Sequence, residues 1–219
     1  MNVQSQNIPT MKTARYYLSA TPGYLVKTIW FVLHGYGQLA ENFIKLFARL
    51  ADDNNLIVAP EALNKFYLRG YSGEVGANWM TKNNRENEIK DYLIFLNNVF
   101  QKVNSEIYSP KVRLNVIGFS QGGAVAARWL LTKKVFADNL FLCGSKLPRD
   151  IDAKVTSIIF KATKLFYVIG REDEFISKQD IEEEELFLAN NRIDANFIRH
   201  DFGHELNDKI IELIKSQIK

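Results

Sequence analysis

Short apolar runs alternate along this chain with longer stretches whose apolar residues recur at helical spacing, and few architectures accept that pattern. The strand candidates are ARYYLSA (14–20), TIWFVLHG (28–35), NLIVAPEA (55–62), RLNVIGF (113–119), NLFLCGS (139–145), KLFYVIG (164–170) and DANFIRHD (194–201). Most are continuously apolar rather than alternating, as strands buried on both faces should be. Between them, AENFIKLFARLADD (40–53), ENEIKDYLIFLNNVFQKV (86–103), QGGAVAARWLLTK (121–133), KQDIEEEELFLAN (178–190) and ELNDKIIELIKSQI (205–218) carry helical periodicity. The alternation predicts an α/β domain, with a mainly parallel central sheet of about seven strands and helices on both faces.

At 219 residues, with no Pro- or Ser-rich linker, the chain reads as a single domain spanning 1–219. Such a domain buries roughly 70% of the surface its unfolded chain exposes, enough for a closed, dry site. The net charge of +3 is spread among interspersed Lys, Arg, Asp and Glu, so no nucleic-acid partner is expected. The amino terminus shows no cationic start followed by an apolar segment, and the run 29–33 is far too short to span a bilayer. No stable membrane insertion is expected. Cys143, alone in an apolar run, reads as a buried inert thiol, which suits a cytoplasmic location. The acidic run Glu182 to Glu185 reads as a solvated helix face, since four consecutive side chains fan around a helix and cannot converge on a metal. Residues 63–84, rich in Gly, Asn and aromatics without clear periodicity, read as a flap over a site.

Within NVIGFSQGGAVAARWL (115–130) an apolar run gives way at once to an alanine-rich helical pattern, with G-x-S-x-G at the junction: Gly118, Ser120 and Gly122. A strand that passes directly into a helix turns sharply enough to strain the serine backbone, and glycines two residues away on each side avoid collision. Ser120 would then stand at the carboxyl edge of the sheet, where open α/β sheets bind ligands. Gln121 N–H, in the first helical turn, lacks an intrahelical partner and can face an anion beside the serine. The bland alternative is an ordinary turn with Ser120 as a helix cap.

A serine nucleophile needs a base oriented by a carboxylate. Of the three histidines, His34 precedes the serine at a strand end and reads as a brace for its own loop. His200 lies inside a strand run, whereas His204 lies in a Gly-bearing turn before the last helix and is the preferred base. The turn after 164–170 carries Glu172, Asp173 and Glu174, among which spacing chooses poorly; Asp173 is preferred because a short carboxylate held by backbone N–H groups orients imidazole more firmly. LHGYG (33–37) supplies a glycine-flanked turn in which Tyr36 N–H can be the second oxyanion donor.

With these motifs in their order, the sequence resembles the phospholipase/carboxylesterase family of small α/β-hydrolases, which contains acyl-protein thioesterases and bacterial carboxylesterases. The likeness rests on GFSQGGAVA, LHGYG, APEA, Trp79, GSKLP (144–148), the glycine three residues before Asp173, and GHE (203–205). It implies an α/β-hydrolase fold, Ser120, Asp173 and His204 as the catalytic triad, and the N–H groups of Tyr36 and Gln121 as the oxyanion hole. The implied reaction is hydrolysis of carboxylic esters or thioesters through an acyl-enzyme, with no metal or organic cofactor and with a small-molecule or lipid-like acyl ester as substrate. Phe66, Tyr71 and Trp79 from the flap, and Leu147 of GSKLP, are candidates for substrate contact; the flap aromatics, Tyr67 among them, could equally serve only to pack the flap. The oligomeric state is expected to be monomer or homodimer. A non-catalytic binding protein on a hydrolase scaffold and a serine peptidase are the alternatives from other classes.

Overall fold

The computed structural model describes residues 1–218. Nine strands run as β1 (Tyr16–Leu18), β2 (Thr28–Leu33), β3 (Asn55–Pro60), β4 (Asn64–Tyr67), β5 (Val75–Asn78), β6 (Arg113–Phe119), β7 (Asn139–Cys143), β8 (Lys164–Gly170) and β9 (Ala195–His200). Six α-helices intervene: α1 (Ala40–Phe43, continued by a 3-10 turn over Ile44–Phe47), α2 (Arg85–Ser105), α3 (Gln121–Leu131), α4 (Ala153–Ile159), α5 (Lys178–Asn190) and α6 (Asp208–Ser216).

Seven strands form one sheet in the order β1-β3-β2-β6-β7-β8-β9, parallel throughout except for the antiparallel edge strand β1. Adjacent residues along β2 show why the strands are continuously apolar. Ile29, Phe31 and Leu33 face a core closed by α2, α3, α4 and α5, while Trp30 and Val32 face a second core closed by α1 and α6. Both faces exclude water, so neither set of side chains can be polar. Strand order reverses between β2 and β6, and loops leaving a parallel sheet at such a point diverge and leave a crevice. The last ladder pair there is Leu33 with Gly118, so the loop after β2 and Ser120 leave the sheet side by side.

Residues 63–84 differ from the aperiodic flap expected of them. They hold an antiparallel hairpin, β4 with β5, paired Asn64 to Asn78 and Tyr67 to Val75 and separate from the main sheet. Its strand signal is weak because Gly76 and Ala77 contribute almost no side-chain pattern, and Phe66 and Tyr67 are adjacent rather than alternate. Helix α4 escaped the periodicity reading because it has only seven residues; its start is marked by Asp152, whose carboxylate accepts from Lys154 and Val155 N–H. No helix among the described residues is long and apolar enough to cross a membrane.

Candidate active site

Ser120 is the single residue between β6 and α3. It has φ 51° and ψ −120°, a backbone conformation that costs a non-glycine residue on the order of 1–3 kcal/mol. Its hydroxyl makes no capping hydrogen bond to α3, so the capping alternative does not account for it. The strain is imposed by close packing. A side-chain carbon added at Gly122 would lie 2.2 Å from the Leu33 carbonyl oxygen, so the start of α3 can pass the end of β2 only as glycine. Ser120 N–H donates to the carbonyl of Cys143 at the end of β7 (2.9 Å), which fixes the turn across the sheet. Cys143 itself is buried, and burial raises the pKa of its thiol well above the ordinary value.

Both expected oxyanion donors are uncommitted. In the loop after β2, Gly35 N–H donates to Gln38 Oε1 (2.8 Å), Gly37 N–H to Ala77 O (2.9 Å) and Gln38 N–H to Gly35 O (3.4 Å), whereas Tyr36 N–H has no partner among the described residues. Gln121 N–H, first in α3, also has none, and it lies at the positive end of the helix dipole. The two loops are close: a side-chain carbon at Gly35 would lie 3.2 Å from Ser120 Cβ.

His34 holds this loop from within the core. Its Nδ1–H donates to Gly35 O (2.8 Å) and its Nε2 accepts Ala62 N–H (3.1 Å), so both ring nitrogens are occupied in one neutral tautomer. Burial lowers its pKa to about 4, outweighing the opposite pull of the Gly35 carbonyl.

His204 stands in the loop between β9 and α6, and its Nδ1–H is shared between the carboxylate oxygens of Asp173 (2.9 and 3.1 Å). The Asp173 side chain is 1% exposed, and its Oδ1 also accepts from Phe175 N–H (2.8 Å) and Ile176 N–H (3.1 Å). Of the neighbouring acids, Glu174 accepts His204 backbone N–H (3.3 Å), and the Glu172 carboxylate has no partner among the described residues. The imidazole lies between two aromatic rings, Phe119 at 5.0 Å and Phe175 at 4.7 Å between centroids. Its Nε2 has no hydrogen-bond partner among the described residues. His200 is held elsewhere, on β9 opposite Gly170, where its Nδ1 accepts Phe202 N–H (3.3 Å).

Sequence reasoning missed Gly144. It follows Cys143, has φ +52°, and a side-chain carbon there would lie 2.8 Å from His204 Cε1. The residue whose carbonyl holds Ser120 is thus followed by the residue on which His204 rests, which draws both side chains to one edge of the sheet. A glycine directly after an apolar strand was the available signal.

The substrate-contact candidates separate. Trp79 is 1% exposed, with its indole N–H donating to His34 O (2.9 Å), so it is a core residue and does not line a groove. Leu147 is likewise buried, its N–H donating to Glu184 Oε1 (2.9 Å). Tyr71 is 97% exposed in the turn of the hairpin, while Phe66 packs on the Tyr36 ring at 5.0 Å. Tyr67 is half exposed. The expectation for Glu182–Glu185 is corrected at Glu184, which is buried and accepts from Tyr167 Oη (2.5 Å) and Leu147 N–H, and pairs with Arg149 (2.6 Å). Among the described residues no cluster of His, Cys, Asp and Glu could hold a metal ion.

A family model described as serine hydrolase (FSH1) matches residues 27–207. No curated protein matches the chain significantly. Similar solved structures include a phospholipase/carboxylesterase from Dyadobacter fermentans, at TM-score 0.70 and 17% identity over 97% of this chain and 99% of that one. The Bacillus cereus carboxylesterase gives TM-score 0.68 and 17% identity, covering 93% and 92%. Maize (Zea mays) acyl-protein thioesterase 2 gives 0.66 and 16%, covering 94% and 100%. At these identities the likeness is one of fold: a seven-stranded, mostly parallel α/β-hydrolase sheet.

Proposed function

The chain belongs to the FSH1 family of serine hydrolases, and from that premise we propose that Ser120 is its nucleophile, His204 and Asp173 its base and orienting carboxylate, and a carboxylic ester or thioester its substrate. The observation that carries the reading is the uncapped, strained Ser120 between two unpartnered N–H groups, with an imidazole locked onto a buried carboxylate along the same sheet edge. The likeness in fold to a carboxylesterase and an acyl-protein thioesterase supports the choice of acyl chemistry within the hydrolases.

In the proposed reaction Ser120 Oγ attacks the acyl carbonyl while His204 Nε2 takes the hydroxyl proton. Asp173 keeps Nδ1 protonated and stabilises the imidazolium without taking the proton itself. The carbonyl oxygen, now an anion, accepts from Tyr36 and Gln121 N–H, each worth about 3–4 kcal/mol of barrier in comparable sites. The tetrahedral centre collapses, the alcohol or thiol leaves with the proton from His204, and a water deprotonated by the same imidazole releases the acid. A lipid-like acyl ester fits the exposed aromatic and aliphatic side chains near this edge, Tyr36 and Phe175 among them.

The test is hydrolysis of p-nitrophenyl esters and an acyl thioester by wild type and Ser120→Ala, with a fluorophosphonate probe in parallel. Wild type should turn over and label, and the variant should lose up to about a millionfold in turnover and all labelling. An alanine variant as active as wild type would overturn the assignment.

A further inference from the structure

The hairpin root, Ala77 to Met80, touches both halves of the oxyanion hole. Gly37 N–H donates to Ala77 O (2.9 Å), and the Trp79 indole N–H donates to His34 O (2.9 Å), so this segment holds the Tyr36 loop on both sides of Tyr36. The same segment holds the other donor. Trp79 N–H donates to Gln121 Oε1 (2.9 Å), and Gln121 Nε2 donates to Met80 O (2.9 Å), so the Gln121 amide satisfies both its oxygen and its nitrogen on two successive residues of the hairpin root.

Tyr36 and Gln121 each lie three residues beyond the last β2–β6 ladder pair, Leu33 with Gly118. Past that pair no ladder bond ties the two loops together. A preorganised oxyanion site works only if its donors keep their separation while charge develops, because reorientation at that moment would consume the stabilisation they provide.

We propose that residues 77–80 are a brace that sets the spacing of the two oxyanion donors, and that the side chains of Gln121 and Trp79 are positioning residues for the reaction. The inference rests on the serine hydrolase reading of Ser120. It changes the meaning of the hairpin: its root becomes a fixed part of the proposed catalytic apparatus, while Tyr71 in its turn is exposed. Gln121 accordingly has two separable jobs, a backbone N–H that meets the anion and a side chain that keeps this N–H at the right distance from Tyr36.

The experiment compares wild type, Gln121→Leu, Trp79→Phe and the double variant on one p-nitrophenyl ester, with an alkyl trifluoromethyl ketone as a mimic of the tetrahedral state. Gln121→Leu keeps the backbone N–H and removes both side-chain bonds. It should lower kcat about 10- to 100-fold, less than the 10²–10³ expected when a whole donor is removed, with KM within about threefold. Ketone affinity should fall by the same factor as kcat/KM, since both measure binding of the tetrahedral state. Trp79→Phe should cost less, and the double variant should cost less than the product of the single losses, because both substitutions loosen one brace. Gln121→Met, close to glutamine in length and uncharged but unable to make either bond, should lose about as much as Gln121→Leu, and it carries the test if the leucine variant does not fold. Unchanged kcat in the folded Gln121 variants, or lowered kcat with ketone affinity unchanged, would overturn the brace. Fluorophosphonate labelling at residue 120 reads the serine assignment separately: labelling with no loss in kcat sinks the brace alone, and absent labelling of wild type sinks the reading beneath it.

Discussion

His34 and His204 both serve the sheet edge around Ser120, and their surroundings differ in every respect that matters to an imidazole. His34 is inaccessible to solvent, has both ring nitrogens hydrogen-bonded to main chain, and has its pKa lowered to about 4 by burial. His204 has one nitrogen committed to Asp173 and the other uncommitted among the described residues, with its side chain 11% exposed. The first arrangement makes imidazole a rigid hydrogen-bonding strut. The second suits the base proposed here, since it leaves one lone pair available and supplies an anion to stabilise the proton once it arrives. In the proposed reaction the oxyanion flank depends on atoms that must not move, and the base flank on an atom that must exchange a proton.

The largest effect that tests this contrast is removal of the base. His204→Ala should lower kcat/KM for a p-nitrophenyl ester by about a millionfold, as expected when one member of a triad acts as a unit with the rest. His200→Ala should stay within a few fold, because that imidazole is bonded to Phe202 N–H on its own strand. If the two results are reversed, the proton passes through His200 and the contrast is between the wrong residues.

A smaller loss, about 10⁴-fold in kcat, is expected for Asp173→Asn, which keeps the shape but cannot hold the Nδ1–H tautomer. Equal loss in Glu174→Gln would show that the carboxylate role is shared. Glu174 meets the His204 backbone N–H and not its ring, so the glutamine variant should keep most of its activity.

The smallest expected effect falls on His34 and on stability. Its folded pKa of about 4 lies below the ordinary 6.5 of an exposed histidine, so below pH 6.5 the unfolded chain binds a proton that the folded chain refuses. Stability therefore falls as pH drops from about 6.5 to 4, by about 3 kcal/mol from this group. Urea unfolding at pH 7 and pH 4.5 should show a steeper loss in wild type than in His34→Gln. Equal losses would mean that His34 is not held neutral and the strut description fails.

The three residues proposed as nucleophile, base and carboxylate could be picked out in sequence because each lies in a local pattern. The strand–serine–helix junction, the acid after a β-strand and the histidine in a glycine-bearing turn are all short-range patterns, and the five central sheet strands were readable because burial on both faces leaves continuous apolar runs. What escaped depends on partners distant in the chain. Glu184 looks like its three neighbours, and only Tyr167, Leu147 and Arg149 make it a buried acid. Trp79 and Leu147 were candidates for substrate contact that sequence could not separate from core residues, because aromatic and aliphatic side chains near a site read alike whether they face the substrate or the core. The hairpin root, with Gly76 and Ala77 nearly without side-chain pattern, is tied to the Tyr36 loop and to Gln121 only through hydrogen bonds between residues forty or more positions apart along the chain.

The most direct test of the site is to treat the wild-type protein with a fluorophosphonate and map the adduct by peptide mass spectrometry. One phosphonyl group on Ser120, absent from Ser120→Ala and formed far more slowly in His204→Ala, is the predicted result. An adduct on any other residue, or the same labelling rate without His204, would contradict it.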